Sequence, residues 1–318
     1  KSVMFMDISA EDLGGASIHS QKSGVAQFRC ECENECFEKV RKLLDYIPHY
    51  FGDDFDNSSV VKFEERKSAK KKIAEIIPEN PKAGYDVRDI INCVVDEDSF
   101  FEVSEEFAVN CVTGFAKIEG RSIGVVANNP KGVGGVLDCD SSDKIARFVR
   151  YCDSFNIPLL TFVDVPGFIP GPQEEQKGII RHGAKVIYAY SEATVPKLTV
   201  ILRKAYGGAY IAMCSKHLGA DFVFAWPKSE IAVMGAEGAI EILYAKEMKD
   251  PSKAEEIARK TEEYKAEIMT PTIAAERGYI TEIIEPSSTR KHLIDSYNFL
   301  ETKIFTNKPL KKHGNIPL

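Results

Sequence analysis

Two glycine-bearing junctions hold the residues best suited to chemistry in this chain. One is VDVPGFIPG, from Val163 to Gly171, and the other is KAYGGAYIAM, from Lys204 to Met213. In each, an apolar strand-like run ends and small residues leave backbone N–H groups uncovered. The second reads directly into a helix, whose first amides lack intrahelical acceptors and whose dipole turns its positive end outward. Donors arranged this way stabilise an oxygen that gains negative charge. Larger side chains at Gly207, Gly208 and Ala209 would obstruct the approach of such an oxygen. The residues themselves leave two readings open: packing glycines in a tight turn, or a place where a ligand meets the backbone.

Other chemistries find less support. The sequence contains no GxSxG, no HExxH, no GxxxxGK[ST] and no dinucleotide-binding glycine fingerprint. His182 in IIRHGAK and His217 in CSKHLG read as helix residues with satisfied hydrogen bonds. Asp164 reads as a structural buried acid at a strand end. Gly132, Gly134 and Gly135 in NPKGVGGVLD read first as a flexible loop and second as a ligand-facing one. Of eight cysteines only Cys30, Cys32 and Cys36 lie close together. Reduced thiols are the favoured reading and a zinc site the minor one, so no metal is expected. An enzyme built on these junctions would lean on backbone oxyanion stabilisation, which suits enolate chemistry on a thioester.

Composition narrows the class. With 44% hydrophobic and 28% charged residues over 318 positions, the chain is an ordinary globular one. A formal net charge of −7 gives no general attraction to nucleic acid. The lysine-rich run ERKSAKKKIAE reads as a solvated face, with a local anion contact as the second choice. No apolar run approaches the ~18 residues of a membrane span, and no signal peptide is visible. A cytoplasmic or organelle-matrix location is expected. A chain that starts at Lys1 reads as a fragment or a processed form.

The elements that must position the junctions alternate. Phe37, Val40, Leu43, Leu44 and Ile47 fall at helix spacing, and Pro48 ends the pattern. The polar stretch from Gly52 to Val60 has linker composition. CVTGFAKIEGRSIGVVANNP predicts two strands joined at Glu119 and Gly120. A helix follows, capped by Ser141 or Ser142, and then a buried strand through IPLLTFVDV. QKGIIRHGAKVIYAYSEA predicts a helix, PKLTVILRKAY a strand, GAYIAMCSKHLG a helix and ADFVFAWP a strand. A short strand and helix cover EIAVMGAEGAIEILYAKEM, and a long helix runs from Ser252 to about Met269. This alternation predicts βαβ units, an α/β class and a mostly parallel sheet covered on both faces.

The run from FVDVPGFIPGPQEEQKGIIRHGAK through ILRKAYGGAYIAMCSKHLGADFVFAWP to VMGAEGA resembles the carboxyltransferase subunits of biotin-dependent acyl-CoA carboxylases and decarboxylases. LGGASIHSQKSGVAQF and TPTIAAERGYITEIIEP match the same family, so the resemblance covers nearly the whole chain. It implies crotonase-like domains: residues 1–60 as the tail of an N-terminal acyl-CoA domain, and 61–318 as the C-terminal biotin domain. The segment that carries the N-terminal domain's oxyanion hole would lie upstream of LGGA. Position by position, the resemblance makes Gly208 and Ala209 the backbone oxyanion hole of the biotin domain. It places Gly167, Phe168 and Gly207 beside biotin, and Ile211 in the pocket that influences acyl-chain choice. It further implies a separate biotin carboxyl carrier protein, a biotin carboxylase subunit or membrane decarboxylase subunits, an acyl-CoA substrate and a homo-oligomer, usually a hexamer. The implied reaction moves CO2 between carboxybiotin and propionyl- or acetyl-CoA through enolates. Alternatives are the α subunit of a methylmalonyl-CoA decarboxylase, a non-catalytic C-domain fragment, and a stand-alone crotonase-type hydratase or hydrolase.

Overall fold

The computed structural model describes residues 7–48, 73–303 and 314–317. The linker-like stretch from Gly52 to Val60, the boundary at 60/61 and most of the lysine run lie outside the described residues.

An eight-stranded sheet organises the chain, with helices on both faces. The strands are β1 (Phe101–Val103), β2 (Cys111–Ile118), β3 (Arg121–Asn128), β4 (Leu159–Val165), β5 (Lys197–Tyr206), β6 (Phe222–Ala225), β7 (Glu230–Ala232) and β8 (Glu282–Ile283). Their order is β1-β2-β3-β4-β5-β6-β8, with β7 also paired to β5. The β1–β2 and β2–β3 pairs are antiparallel and all the others parallel. The hairpin turn falls at Glu119 and Gly120, as the sequence predicts, and both residues have positive φ (51° and 77°). That pair of left-handed residues matches the twist of the flanking strands.

The helices needed below are α1 (Ala10–Gly14), α2 (Ala16–Gln21), α3 (Glu33–Leu44), α4 (Val87–Val94), α5 (Cys139–Ser154), α6 (Pro172–Lys177), α7 (Ile179–Glu192), α8 (Gly207–Ala212), α9 (Ala236–Leu243), α10 (Ala254–Ile268), α11 (Pro271–Glu276) and α12 (Thr289–Leu300). Right-handed βαβ crossovers are the rule where parallel strands are joined by helices; here α5 joins β3 to β4, and α6 with α7 joins β4 to β5. Successive strand residues point to opposite faces. Val126, Leu159, Val163 and Ile201 therefore enter one core with Ile145, Val186 and Tyr190. Val125, Leu160, Phe162, Leu198 and Val200 enter the other with Ile90, Ile91, Leu293 and Tyr297. Both strand faces are dry, which explains apolar runs without alternation.

Three local expectations need correction. The cap of α5 is Asp138, not Ser141 or Ser142: its carboxylate accepts from the Ser141 N–H while the Ser141 hydroxyl accepts from the Asp138 N–H. This reciprocal box starts the helix ahead of the serines. The helix expected from Gly208 to Gly219 is α8, which starts at Gly207 and is only six residues long. It ends because Cys214 takes a positive φ of 55° and its carbonyl accepts from the Thr199 hydroxyl at 2.6 Å. The α3 helix forms but ends at Leu44, with Asp45 as its C-cap, so Ile47 and Pro48 lie beyond it; Phe37, Val40 and Leu44 are about half exposed, whereas Leu43 and Ile47 pack on the core. Residues 7–48 are joined to the sheet domain by Phe28 stacked on Phe101 at 5.0 Å and by an Arg29–Glu106 ion pair at 2.7 Å.

Candidate active site

In open parallel sheets ligands meet the crevice outside the carboxyl ends of the strands. The loops that leave β3, β4 and β5 all emerge at that edge. Ladder register places Ala205 opposite Val165. Gly167 and Gly207 each lie two residues further on, so both junctions leave the sheet side by side.

The β4 junction is held open by a short bridge. Leu137 donates its N–H to the Gly167 carbonyl at 3.0 Å and accepts the Ile169 N–H at 2.7 Å. A methyl group built on Gly183 of α7 would press on the Phe168 ring at 2.9 Å, so that ring lies directly on the helix. Gly167 adopts φ +157°, and a methyl group there would meet nothing within 4 Å.

The β5 junction separates two adjacent glycines by function. Gly207 has φ +57°, and a methyl group there would come within 2.8 Å of the Val233 carbonyl oxygen. Conformation and packing both demand glycine at that position. Gly208 has neither constraint, and a methyl group there would meet no atom within 4 Å. Tyr206 occupies the N-cap of α8 without making a side-chain capping bond, and the Ala209 side chain is buried. The start of α8 is therefore open at Gly208, although so short a helix adds little dipole. Ile211 lies on the same helix, half-buried against the core.

The loop after β3 completes the edge. Val133, Gly134 and Gly135 have φ values of 46°, 69° and 77°. A methyl group on Gly135 would meet the Asp164 carbonyl oxygen at 2.7 Å, so this loop packs tightly at one end. At its other end Gly134 faces open space and Val133 is exposed.

The remaining sequence candidates are satisfied structurally. His182 Nδ1 lies 2.9 Å from Asp143 Oδ1, which also accepts from Lys185. His217 bonds Ser215 through Nδ1 at 3.2 Å, with its ring 5.2 Å from that of Tyr279. Asp164 is buried, and Arg203, Tyr85 and the Lys204 N–H all donate to it. Burial pushes its acid upward, and the Arg203 cation opposes that shift. Cys30 is half-buried and Cys32 and Cys36 are exposed; among the described residues no group of three metal-type ligands comes together.

Two features escaped the sequence. The Tyr206 hydroxyl makes a short hydrogen bond to the Glu230 carboxylate, tying β5 to β7 immediately before Gly207. The basic pair Arg203–Lys204 faces Asp164 and the segment 81–85. The only sequence signal for the second was a pair of cations inside an otherwise apolar strand.

A carboxyl transferase domain model matches residues 1–316. A propionyl-CoA carboxylase carboxyltransferase subunit from Haloferax mediterranei is 49% identical over all of this chain and 61% of its own length. A methylmalonyl-CoA decarboxylase α subunit from Propionigenium modestum is 46% identical over all of this chain and 61% of its length. A solved structure of transcarboxylase 12S, described as a hexamer with methylmalonyl-coenzyme A bound, is 48% identical, superposes with a TM-score of 0.91 and is covered over 60% of its chain. The chain thus spans about three-fifths of the length of the relatives it matches. The match establishes the crotonase-like α/β class expected from the sequence.

Proposed function

Since the chain belongs to the carboxyl transferase domain family, we propose that it moves a carboxyl group between biotin on a carrier protein and an acyl-CoA. The observation that carries this reading is Gly208: an uncapped helix start whose glycine is required by nothing in the chain and faces free space.

The open positions at Gly167 and Gly208, where a methyl group would meet nothing within 4 Å, leave room for biotin's bicyclic ring system to approach the backbone. Gly208 and Ala209 would hold the ring's carbonyl oxygen through their amides, with Gly167, Phe168 and Gly207 forming the adjoining wall. Biotin, when bound, supplies the ureido group on which the carboxyl travels. The chain contributes fixed donors where negative charge develops, and they need no reorganisation as it does. It also contributes orientation: both junctions are anchored to adjacent strands. Ile211 would border the acyl group.

We assign residues 1–60 to the end of an acyl-CoA domain and 61–318 to the biotin domain. The reading fits the described residues, in which every strand lies at or beyond Phe101. Propionyl-CoA or acetyl-CoA would be the acceptor and a hexamer the assembly, in the cytoplasm or an organelle matrix. A biotin carboxyl carrier protein with a biotin carboxylase, or membrane decarboxylase subunits, would be the partners.

The test is biocytin-dependent decarboxylation of malonyl-CoA and methylmalonyl-CoA, by this chain and by the complete polypeptide its gene encodes. Turnover by the complete polypeptide supports the reading. Turnover by neither overturns it in favour of another crotonase-type reaction or a non-catalytic role.

A further inference from the structure

Asp164 sits where the two ligand-facing junctions join the sheet. The β4–β5 ladder runs in register as far as Val163 and Ile201, and the next pair is Val165 with Ala205. Across that step β4 spends one residue, Asp164, and β5 spends three, Leu202, Arg203 and Lys204. The extra residues form a bulge, which leaves backbone groups without ladder partners and bends the strand.

The Asp164 side chain occupies the gap. Its Oδ1 accepts the Lys204 N–H at 3.1 Å, and its Oδ2 accepts Arg203 Nε and the Tyr85 hydroxyl, each at 2.9 Å. Arg203 continues to the Ala83 carbonyl at 3.1 Å, with its guanidinium 5.1 Å from the centre of the Tyr85 ring. The carboxylate is 1% exposed. From the last bulge residue onward β5 also pairs with β7, Lys204, Ala205 and Tyr206 with Glu230, Ile231 and Ala232, and Gly207 follows at once. Gly167 lies three residues after Asp164 on the other strand, and the Gly135 loop rests on the Asp164 carbonyl.

We propose that Asp164 is a positioning residue: by capping the β5 bulge it sets the direction in which Gly207, Gly208 and Ala209 leave the sheet. The inference rests on the site proposed above and adds a residue that does not touch the ligand. Only a carboxylate serves, because it accepts on both oxygens. An asparagine accepts on one and must turn its NH2 toward an existing donor. A displacement of the amides by about 1 Å is enough to cost roughly 100-fold in rate.

The test compares the complete polypeptide its gene encodes with its Asp164→Asn and Tyr85→Phe variants by hydrogen exchange and by turnover with biocytin. In Asp164→Asn the peptide from Lys204 to Met213 should exchange at least about tenfold faster, with β2 unchanged, because only local protection is lost. The value of kcat should fall about 100-fold while KM for the acyl-CoA stays within about twofold. Tyr85→Phe keeps the ring on Arg203 and should give the same pattern at a few-fold. It decides the matter if Asp164→Asn does not fold. Unchanged exchange at Lys204–Met213, or an equal rise in β2, overturns the proposal. Absence of turnover in the unsubstituted protein counts against carboxyl transfer alone, and the exchange data still decide the positioning role.

Discussion

Gly207 and Gly208 are neighbours in the chain and opposites in constraint. A methyl group on Gly207 would stand 2.8 Å from the Val233 carbonyl oxygen, whereas one on Gly208 would meet nothing within 4 Å. The first glycine is explained by the fold. Among the described residues, nothing in the packing requires the second. The proposed function gives Gly208 the role that the fold leaves open.

Substitution should divide the two roles. Gly208→Val is expected to abolish carboxyl transfer while the thermal midpoint stays near that of the unsubstituted protein. Gly207→Ala forces a side chain into a left-handed backbone and toward a carbonyl, and should cost about 1–3 kcal/mol of stability. Thermal unfolding beside biocytin-dependent turnover checks both. Near-normal turnover in folded Gly208→Val would remove the oxyanion role.

Tyr206 offers a test of the β5–β7 tie. Its hydroxyl donates to Glu230, and its ring belongs to a small cluster with Ala236 and Met269. Tyr206→Phe keeps the ring and loses the charge-assisted bond, for an expected loss of about 1.5–3 kcal/mol. The denaturant midpoint should fall with an unchanged m-value. An unchanged midpoint would mean the bond adds nothing net.

The proposed place of Ile211 beside the acyl group can be tested. It is half-buried on α8, four residues after Gly207. Ile211→Asp should change the ratio of kcat/KM for propionyl-CoA over acetyl-CoA by about 10–200-fold, the range open to an apolar pocket that discriminates one methylene. A ratio that does not move would take Ile211 out of the pocket.

Glu174 predicts an acid-side dependence. The Lys177 ammonium and the Cys139 N–H at the start of α5 hold its carboxyl down to about 2. Its folded value is depressed from an unfolded value near 4.3, so its contribution is complete above about pH 5. It is lost as the pH falls toward 2. The stability difference between the unsubstituted protein and Glu174→Gln should be constant at pH 6–7 and shrink by pH 3. A difference that grows on acidification would reverse the assignment.

Local patterns carried much of the fold. The turn at Glu119–Gly120, the strands around Phe162 and Val200, and the helix through His182 were legible because their signals are contained within a few residues. The start of α5 differs from the serine cap the sequence suggests, since Asp138 and Ser141 cap each other and several nearby polar residues could serve. The shortness of α8 was not legible either. Its end depends on the Thr199 hydroxyl reaching the Cys214 carbonyl from a neighbouring strand.

The order of side-chain types alone determined the α/β alternation, the burial of both strand faces and the presence of two small-residue junctions. Whether those junctions meet, and which glycines face free space, only the tertiary structure decided. Both depend on the register of β4 against β5 and on a bulge closed by Asp164 from across the sheet. Residues 39 and 40 positions apart set that geometry through hydrogen bonds at 2.9 and 3.1 Å, and no local period in the chain encodes it.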